Sequence, residues 1–590
     1  MSSRDCSSYL SVWLVAGICL LMVVPALARD YVVDGGNPAS SDTGPGTANV
    51  PLMTFGRAAE LADAGDTVTI MPGTYREAIT VRHSGTVEKP IVFQATWPRS
   101  VILTSDTHYT LVQPARDANR RQSAFYVTMR GIVFGKTPFR NFSGFNDAPP
   151  SVILAKGWRL EDCTVERNMG LSFGNTREWD GDDVTLLRTI IQDSYSTGAG
   201  AAGDGDAKPP RLLENTLLQD CIFRRNNEKD VDPGGYAGAN KFLWTDHLTF
   251  DGVVSYDNIG TGTWFDYAST NFTVRNCTFF GNHAGVGLNL DGKPGGDAPW
   301  AGAGFWSEAN LGPALIEDNV IYSNLASGIG DLDSGSKGKI VIRNNTIVDC
   351  GGCVEFRGMR DKYARGLGSA DVIGNIFKAW HSGAWGTSVE EDIPSASPDG
   401  MGIHIDGNTY DPGPGYVGRW ASWKPSKSQT TTAAGSLEQI RARLDAEAHG
   451  KVANVEFRGP LIPVFAYPTR ESVLNPDPAK MVQVPSADAE SMGMDRALTA
   501  KGVKVGSVIR VAVFGRKEIV RAGRHWSCDV YDLQARHVSL SIDRGRTRDA
   551  LETAVTPYAV IRPVTLELRI RRLEPYRVDA SLVSVHAGNS

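Results

Sequence analysis

Three ionisable residues stand at one spacing near the middle of the chain. Lys241, Asp266 and Glu308 each lie eleven positions before the small or amide residue that closes a similar phrase, at Gly252, Cys277 and Asn319. If each phrase is one coil of a solenoid, the three side chains stack on one face. Adjacent parallel strands lie about 4.8 Å apart, so Asp266 and Glu308 start from that separation. A pair of carboxylates about 5–5.5 Å apart suits retaining glycoside hydrolysis, and a pair about 6.5–9.5 Å apart suits the inverting reaction. Repulsion between such neighbours raises one pKa and keeps that group protonated as an acid. Trp264 and Trp306 stand two positions before the two acids, and Trp244 lies in the coil before them. Such indoles are candidate platforms for sugar faces.

The same residues allow a second chemistry. Lys241 can be the base that removes a proton beside a uronate carboxylate, with Asp266, Glu308 and calcium neutralising the acid. Asp331 and Asp333, in the coil after Glu308, are expected to border the site. Asp180-Gly-Asp182-Asp183, Asp204-Gly-Asp206 and Asp230/Asp232 are further oxygen donors, but none has EF-hand spacing and solvated turns account for most of them. Glu178 is placed no closer than the rim. A third reading is a non-catalytic glycan-binding surface. No metal ligand set is assigned, and calcium enters only with the second chemistry.

The elements that must position these residues form a repeat. Closing phrases recur at Gly131, Cys163, Thr189, Cys221, Gly252, Cys277, Asn319, Asn345, Asn375 and Gly407, 25 to 42 residues apart. Each has apolar residues alternating on both sides, and helical periodicity is lacking. A repeat of this length predicts stacked supersecondary units, here a right-handed parallel β-helix whose inward Asn side chains stack from coil to coil. Residues 55–62 read as a helix capping the open end. Residues 67–71, 78–81 and 91–95 read as short strands. Ser436, with Gln439 three residues on, starts a second predicted helix running towards Gly450. Residues 460–494 are proline-rich, extended, and expected to close the last coils. From Val503 the pattern becomes alternating strands, read as a small antiparallel β-sandwich. The domains are therefore 1–28, 29–495 and 496–590.

The first of these segments, with Arg4, an apolar run from Tyr9 to Val24 and Ala26-Leu27-Ala28, has the order of a secretory signal cleaved after Ala28. No later stretch is apolar enough to span a membrane, so a secreted or periplasmic protein is expected. Of eight cysteines, two lie in that signal; Cys163, Cys221 and Cys277 fall on repeat-closing positions, and Cys350 and Cys353 read as buried thiols. The net charge of −6 is uneven. Lys501 to Ser590 carry 16 Lys+Arg against 9 Asp+Glu, a balance of +7 that leaves −13 for residues 1–500. An acidic main domain on an exported chain argues against nucleic acid as a partner.

Two phrases carry a family likeness. Gly262 to Asp266 (GTWFD) and Ser307 to Pro313 (SEANLGP) resemble the motifs around the catalytic carboxylates of the β-helical β-xylosidases of glycoside hydrolase family 120. The lead-in, with Pro72-Gly-Thr-Tyr75 and Ser84 to Ala95, resembles the broader pectate-lyase-like β-helix superfamily across residues 31–480. The first resemblance implies Asp266 as nucleophile, Glu308 as general acid/base, and a polysaccharide or oligosaccharide substrate. The insertion from Gly287 to Gly302 departs from that pattern and implies a different rim.

Overall fold

The computed structural model describes residues 28–455 and 504–587 apart from short stretches, chiefly 140–149, 175–179, 285–297, 359–366, 389–394, 413–416, 424–428, 516–526, 532–536 and 543–562. The expected signal and residues 460–494 lie outside the described residues.

Residues 30–452 wind into a right-handed parallel β-helix of three sheets with 13 strands each. Along the helix one short strand per coil enters each sheet and pairs in parallel with its equivalents in the adjacent coils; one sheet ends instead in an antiparallel pair, Gly418–Trp423 with Gln429–Ala434. The strands are short because each coil must bend three times, and the bends have one recurring conformation. Asp162, Arg188, Asp220, Gly252, Asn276, Asp318, Asn344, Gly374 and Gly407 have φ between 47° and 68°. Asp, Asn and Gly tolerate that left-handed region best, which is why they recur there.

The residue after each of these points inward and builds a ladder. The Asn345 amide donates to Asn375 Oδ1 at 3.0 Å, Asn319 donates to Asn345 at 2.9 Å, and Asn375 to Asn408 at 3.0 Å. A second ladder runs Asn226, Asn258, Asn282, Asn324, each bond 2.9 Å. Both satisfy buried backbone groups as well: Asn319 and Asn345 donate to the Val274 and Ile316 carbonyls, and Asn226 and Asn324 to the Ile191 and Phe279 carbonyls. Cys163, Cys221 and Cys277 occupy ladder positions and are buried; burial pushes the Cys163 and Cys221 thiols up to about 12.

The two ends are closed by helices. Phe55–Leu61 starts at Thr54, whose hydroxyl accepts from the Arg57 amide, while Glu77 accepts from the Phe55 and Gly56 amides. Leu437–Leu444 starts at Ser436 and ends earlier than the expected Gly450, because Asp445 turns left-handed. Glu447 then caps the first ladder: its carboxylate accepts from the Asn408 side chain at 2.6 Å and from the Tyr410 hydroxyl. Glu447→Ala strands both buried donors, and a loss of about 2 kcal/mol follows. Thermal unfolding should show a clear fall in midpoint, with Glu447→Gln falling less.

The C-terminal segment differs from the expected sandwich. Strands Val508–Gly515, Ser527–Tyr531, His537–Ile542, Pro563–Glu574 and Arg577–Ala587 form a closed five-stranded barrel. Alternation reveals strands but not their partners. The parallel pairing of the third with the fifth strand, and the antiparallel pairing of the fourth with the first, close the sheet.

Candidate active site

The site lies on the outer face of one sheet of the helix. Successive strands there are Asn240–Leu243, Trp264–Asp266, Phe305–Glu308, Ser327–Leu332 and Gly352–Arg357. Register places Asp266 directly beside Glu308, and Trp264 beside Trp306. Between them Phe265 points inward, where the rings of Phe242, Phe250, Phe272 and Phe305 surround it at 5.1–5.9 Å. This packed interior fixes the strand, and alternation then forces Trp264 and Asp266 onto the opposite face.

Lys241 is two positions out of the expected stack. It pairs in register with Trp264, while Leu243 pairs with Asp266. Two one-residue effects add up. Gly252 is the left-handed residue, so the ladder position is Val253, in register with Cys277. The turn from Asp266 to Thr270 is also one residue longer than that from Leu243 to Asp246, its partner in the bridge. The long side chain spans the offset. Lys241 Nζ lies 2.8 Å from Asp266 Oδ2, donates to the Gly235 carbonyl at 2.8 Å, and sits 3.4 Å from the Trp264 ring centroid. A carboxylate, a carbonyl and an indole face all suit an ammonium.

Asp266 Oδ1 accepts from the Tyr267 amide at 2.8 Å, and Glu308 Oε2 accepts from Trp306 Nε1 at 3.2 Å. The backbone turn behind the acids is pinned by Asn310, which donates to the Phe265 carbonyl at 2.8 Å and accepts from the Ser269 amide. All three ionisable groups are largely enclosed: Asp266 is 1% exposed, Lys241 and Glu308 8% each.

The indoles are placed differently from the sequence expectation. Trp264 is 2% exposed and Trp306 is fully buried, so neither offers an open ring face. Trp300 stacks on Trp306 at 5.8 Å and 23° and meets Trp264 edge-on at 6.1 Å. Trp306 lies flat over Gly330, where a Cβ would come within 2.1 Å of the ring. Trp244 is half-buried in the turn after Leu243 and stacks with Tyr267 at 5.7 Å and 21°.

Asp331 does not border this face. Gly330 pairs with Trp306 and Leu332 with Glu308, so Asp331 between them falls on the inward side, in register with Ser307 and Phe356. Burial pushes its carboxyl up to about 6, partly offset by Ser334. Asp333 and Glu178 lie outside the described residues. Asp180 and Asp182 are engaged by Arg211, Asp182 and Asp183 lie near Lys156, and Asp232 accepts from the Gly234 amide. Among the described residues no three His, Cys, Asp or Glu side chains gather as a metal site.

Arg357 was not singled out by sequence. It follows Glu308 by two coils in the same outward column, is 6% exposed, lies over the Trp306 ring at 5.5 Å and pairs with Glu355 at 3.1 Å. Counting alternate residues along Gly352–Arg357 from the ladder would have found it.

No protein-family model matches the chain. A 71-residue stretch is 41% identical to the uncharacterized protein YwoF of Bacillus subtilis, covering 12% of this chain and 15% of that protein. A solved structure of XylC with xylose is 13% identical, covers 65% of this chain and 84% of that one, and has a TM-score of 0.43. Pectate lyase PEL9 of Emericella nidulans is 35% identical over 358 residues, 58% of this chain and 77% of that protein. No described helix is long and apolar enough to cross a membrane. On the extent of that last sequence match, the chain belongs to the family of pectate lyase PEL9.

Proposed function

We propose that the protein is an exported carbohydrate-active enzyme that cleaves a polysaccharide or oligosaccharide as a retaining glycoside hydrolase. The observation that carries the reading is the in-register pair Asp266 and Glu308 on adjacent strands, with Lys241 Nζ 2.8 Å from Asp266. The cation holds Asp266 as an anion suited to attack. Glu308, held by an indole N–H, is the proton donor. In the first step Glu308 gives its proton to the departing glycosidic oxygen as Asp266 bonds to the anomeric carbon. In the second, Glu308 takes a proton from water, which displaces Asp266 and restores both groups. The likeness of GTWFD and SEANLGP to family 120 β-xylosidase motifs assigns the same two roles.

The kinship with a pectate lyase favours a second reading, in which Lys241 removes a proton beside a uronate carboxylate. In that reading Lys241 Nζ, beside the Asp266 carboxylate, the Gly235 carbonyl and the Trp264 ring, is the base. A screen over plant and algal polysaccharides separates the two. Hydrolysis gives new reducing ends with no ultraviolet-absorbing product; elimination gives an unsaturated chromophore, and its appearance overturns the hydrolase reading. Lys241→Arg adds a second check. An electrostatic partner replaced by another cation keeps activity within about tenfold, whereas a lost base costs about a thousandfold or more.

A further inference from the structure

Trp306 joins Glu308 to the coils that follow. The two residues stand on the same face of one strand, and Trp306 Nε1 donates to Glu308 Oε2 at 3.2 Å. An indole N–H can only donate, so this contact favours the ionised carboxylate over the neutral acid. The ring is fully buried, and three neighbours hold it. Trp300 stacks on it at 5.8 Å, Gly330 lies flat against it, and the Arg357 guanidinium sits over it at 5.5 Å. Arg357 is itself 6% exposed and pairs with Glu355 at 3.1 Å, so the cation has a fixed place. A cation over an indole face is attracted by its π electrons. It draws them towards itself, which leaves the N–H a stronger donor.

We propose that Arg357 and Gly330 are positioning residues that act through Trp306 to set how tightly Glu308 holds its proton. The inference rests on the acid/base role given to Glu308 above and adds what makes that role workable. Glu308 gives up a proton in the first step and takes one back in the second, which asks for a proton affinity matched to the working pH. Enclosure, and the Asp266 charge on the adjacent strand, both work against loss of that proton. Lys241 offsets part of the Asp266 charge, and Glu355 offsets part of the Arg357 charge. Asp331, on the strand after Glu308, faces inward. The Trp306 N–H, with the Arg357 charge behind it, is what pulls the other way. Gly330 belongs to the same device because a side chain there would displace the ring.

The test is an NMR titration of Glu308 in the full-length protein carrying isotope-labelled glutamate carboxyls, with its signal identified by loss in Glu308→Gln. Trp306→Phe keeps a ring and removes the N–H, and the titration midpoint is expected to rise by about one pH unit. Gly330→Ala pushes the ring aside and should raise the midpoint too. Arg357→Met keeps a chain over the indole without its charge; a rise of about half a unit is expected, largely reversed in Arg357→Lys. In the Trp306→Phe background, Arg357→Met should add little. Thermal unfolding identifies any variant that has lost its fold, and the two Arg357 variants carry the test if Trp306→Phe is among them. A midpoint unmoved by Arg357→Met, or moved equally with and without the indole, overturns the proposal. The titration needs no substrate, so it is decided apart from the reaction. On a polysaccharide that the screen shows to be cleaved, the alkaline limb of kcat/KM should rise with the midpoint. A limb that stays while the midpoint moves would overturn the acid role of Glu308 instead and leave the proton result standing.

Discussion

Asp266→Asn is expected to lower kcat/KM by about ten-thousand-fold, ~5 kcal/mol of lost transition-state stabilisation. Asparagine keeps the shape and can still accept from the Tyr267 amide through its oxygen. It cannot form the covalent bond to the anomeric carbon, and it removes the anionic partner of Lys241. That partner loss costs stability, since a buried ion pair broken on one side leaves its other charge uncompensated. Folding must therefore be checked by thermal unfolding before the rate is read. The two carboxylates are then told apart by azide. With Asp266→Ala, azide attacks in place of the missing nucleophile and the product is a glycosyl azide of inverted configuration. With Glu308→Ala, azide replaces water in the second step and configuration is retained. The same configuration from both variants would sink the assignment of roles, and full activity in either would sink the site.

The helix was legible because its bends repeat. Asn319, Asn345 and Asn375 advertise a ladder, and the Asp, Asn and Gly residues before such positions advertise the left-handed turn. The Asp266–Glu308 pairing followed from that ladder because both acids lie eleven residues before a true ladder residue. Lys241 missed by two positions, one because Gly252 resembles a ladder residue but is the turn residue before one, and one because the turn after Asp266 is a residue longer than the turn after Leu243. Alternation should also have warned about Asp331, one position out of phase with Gly330 and Leu332. The cover over Trp264 and Trp306 was less readable. Trp300 comes from an insertion that repeats nowhere else, and no periodicity says where such a residue lands. Closure of the barrel was unreadable for a related reason: strand pairing between distant segments leaves no trace in local alternation.

Asp331 provides the second large effect, on stability rather than rate. Its carboxyl is buried on the inward side of the strand after Glu308, and burial raises its pKa from 3.8 to about 6. The folded group therefore holds its proton in a range where the unfolded group has already lost it. Between about pH 4 and pH 6 the folded state binds more protons, so stability falls as pH rises through that window. The loss totals about 3 kcal/mol, at 1.36 kcal/mol for each unit of the shift, and is complete above pH 6. Asp331→Asn removes the titrating group while keeping a similar shape beside Ser307 and Phe356. Relative to the wild type, the variant should gain stability on going from pH 4 to pH 7.5, by up to that amount. Unfolding midpoints for both proteins at several pH values provide the measurement. Parallel profiles would mean that Asp331 stays ionised in the fold, held by partners strong enough to offset its burial.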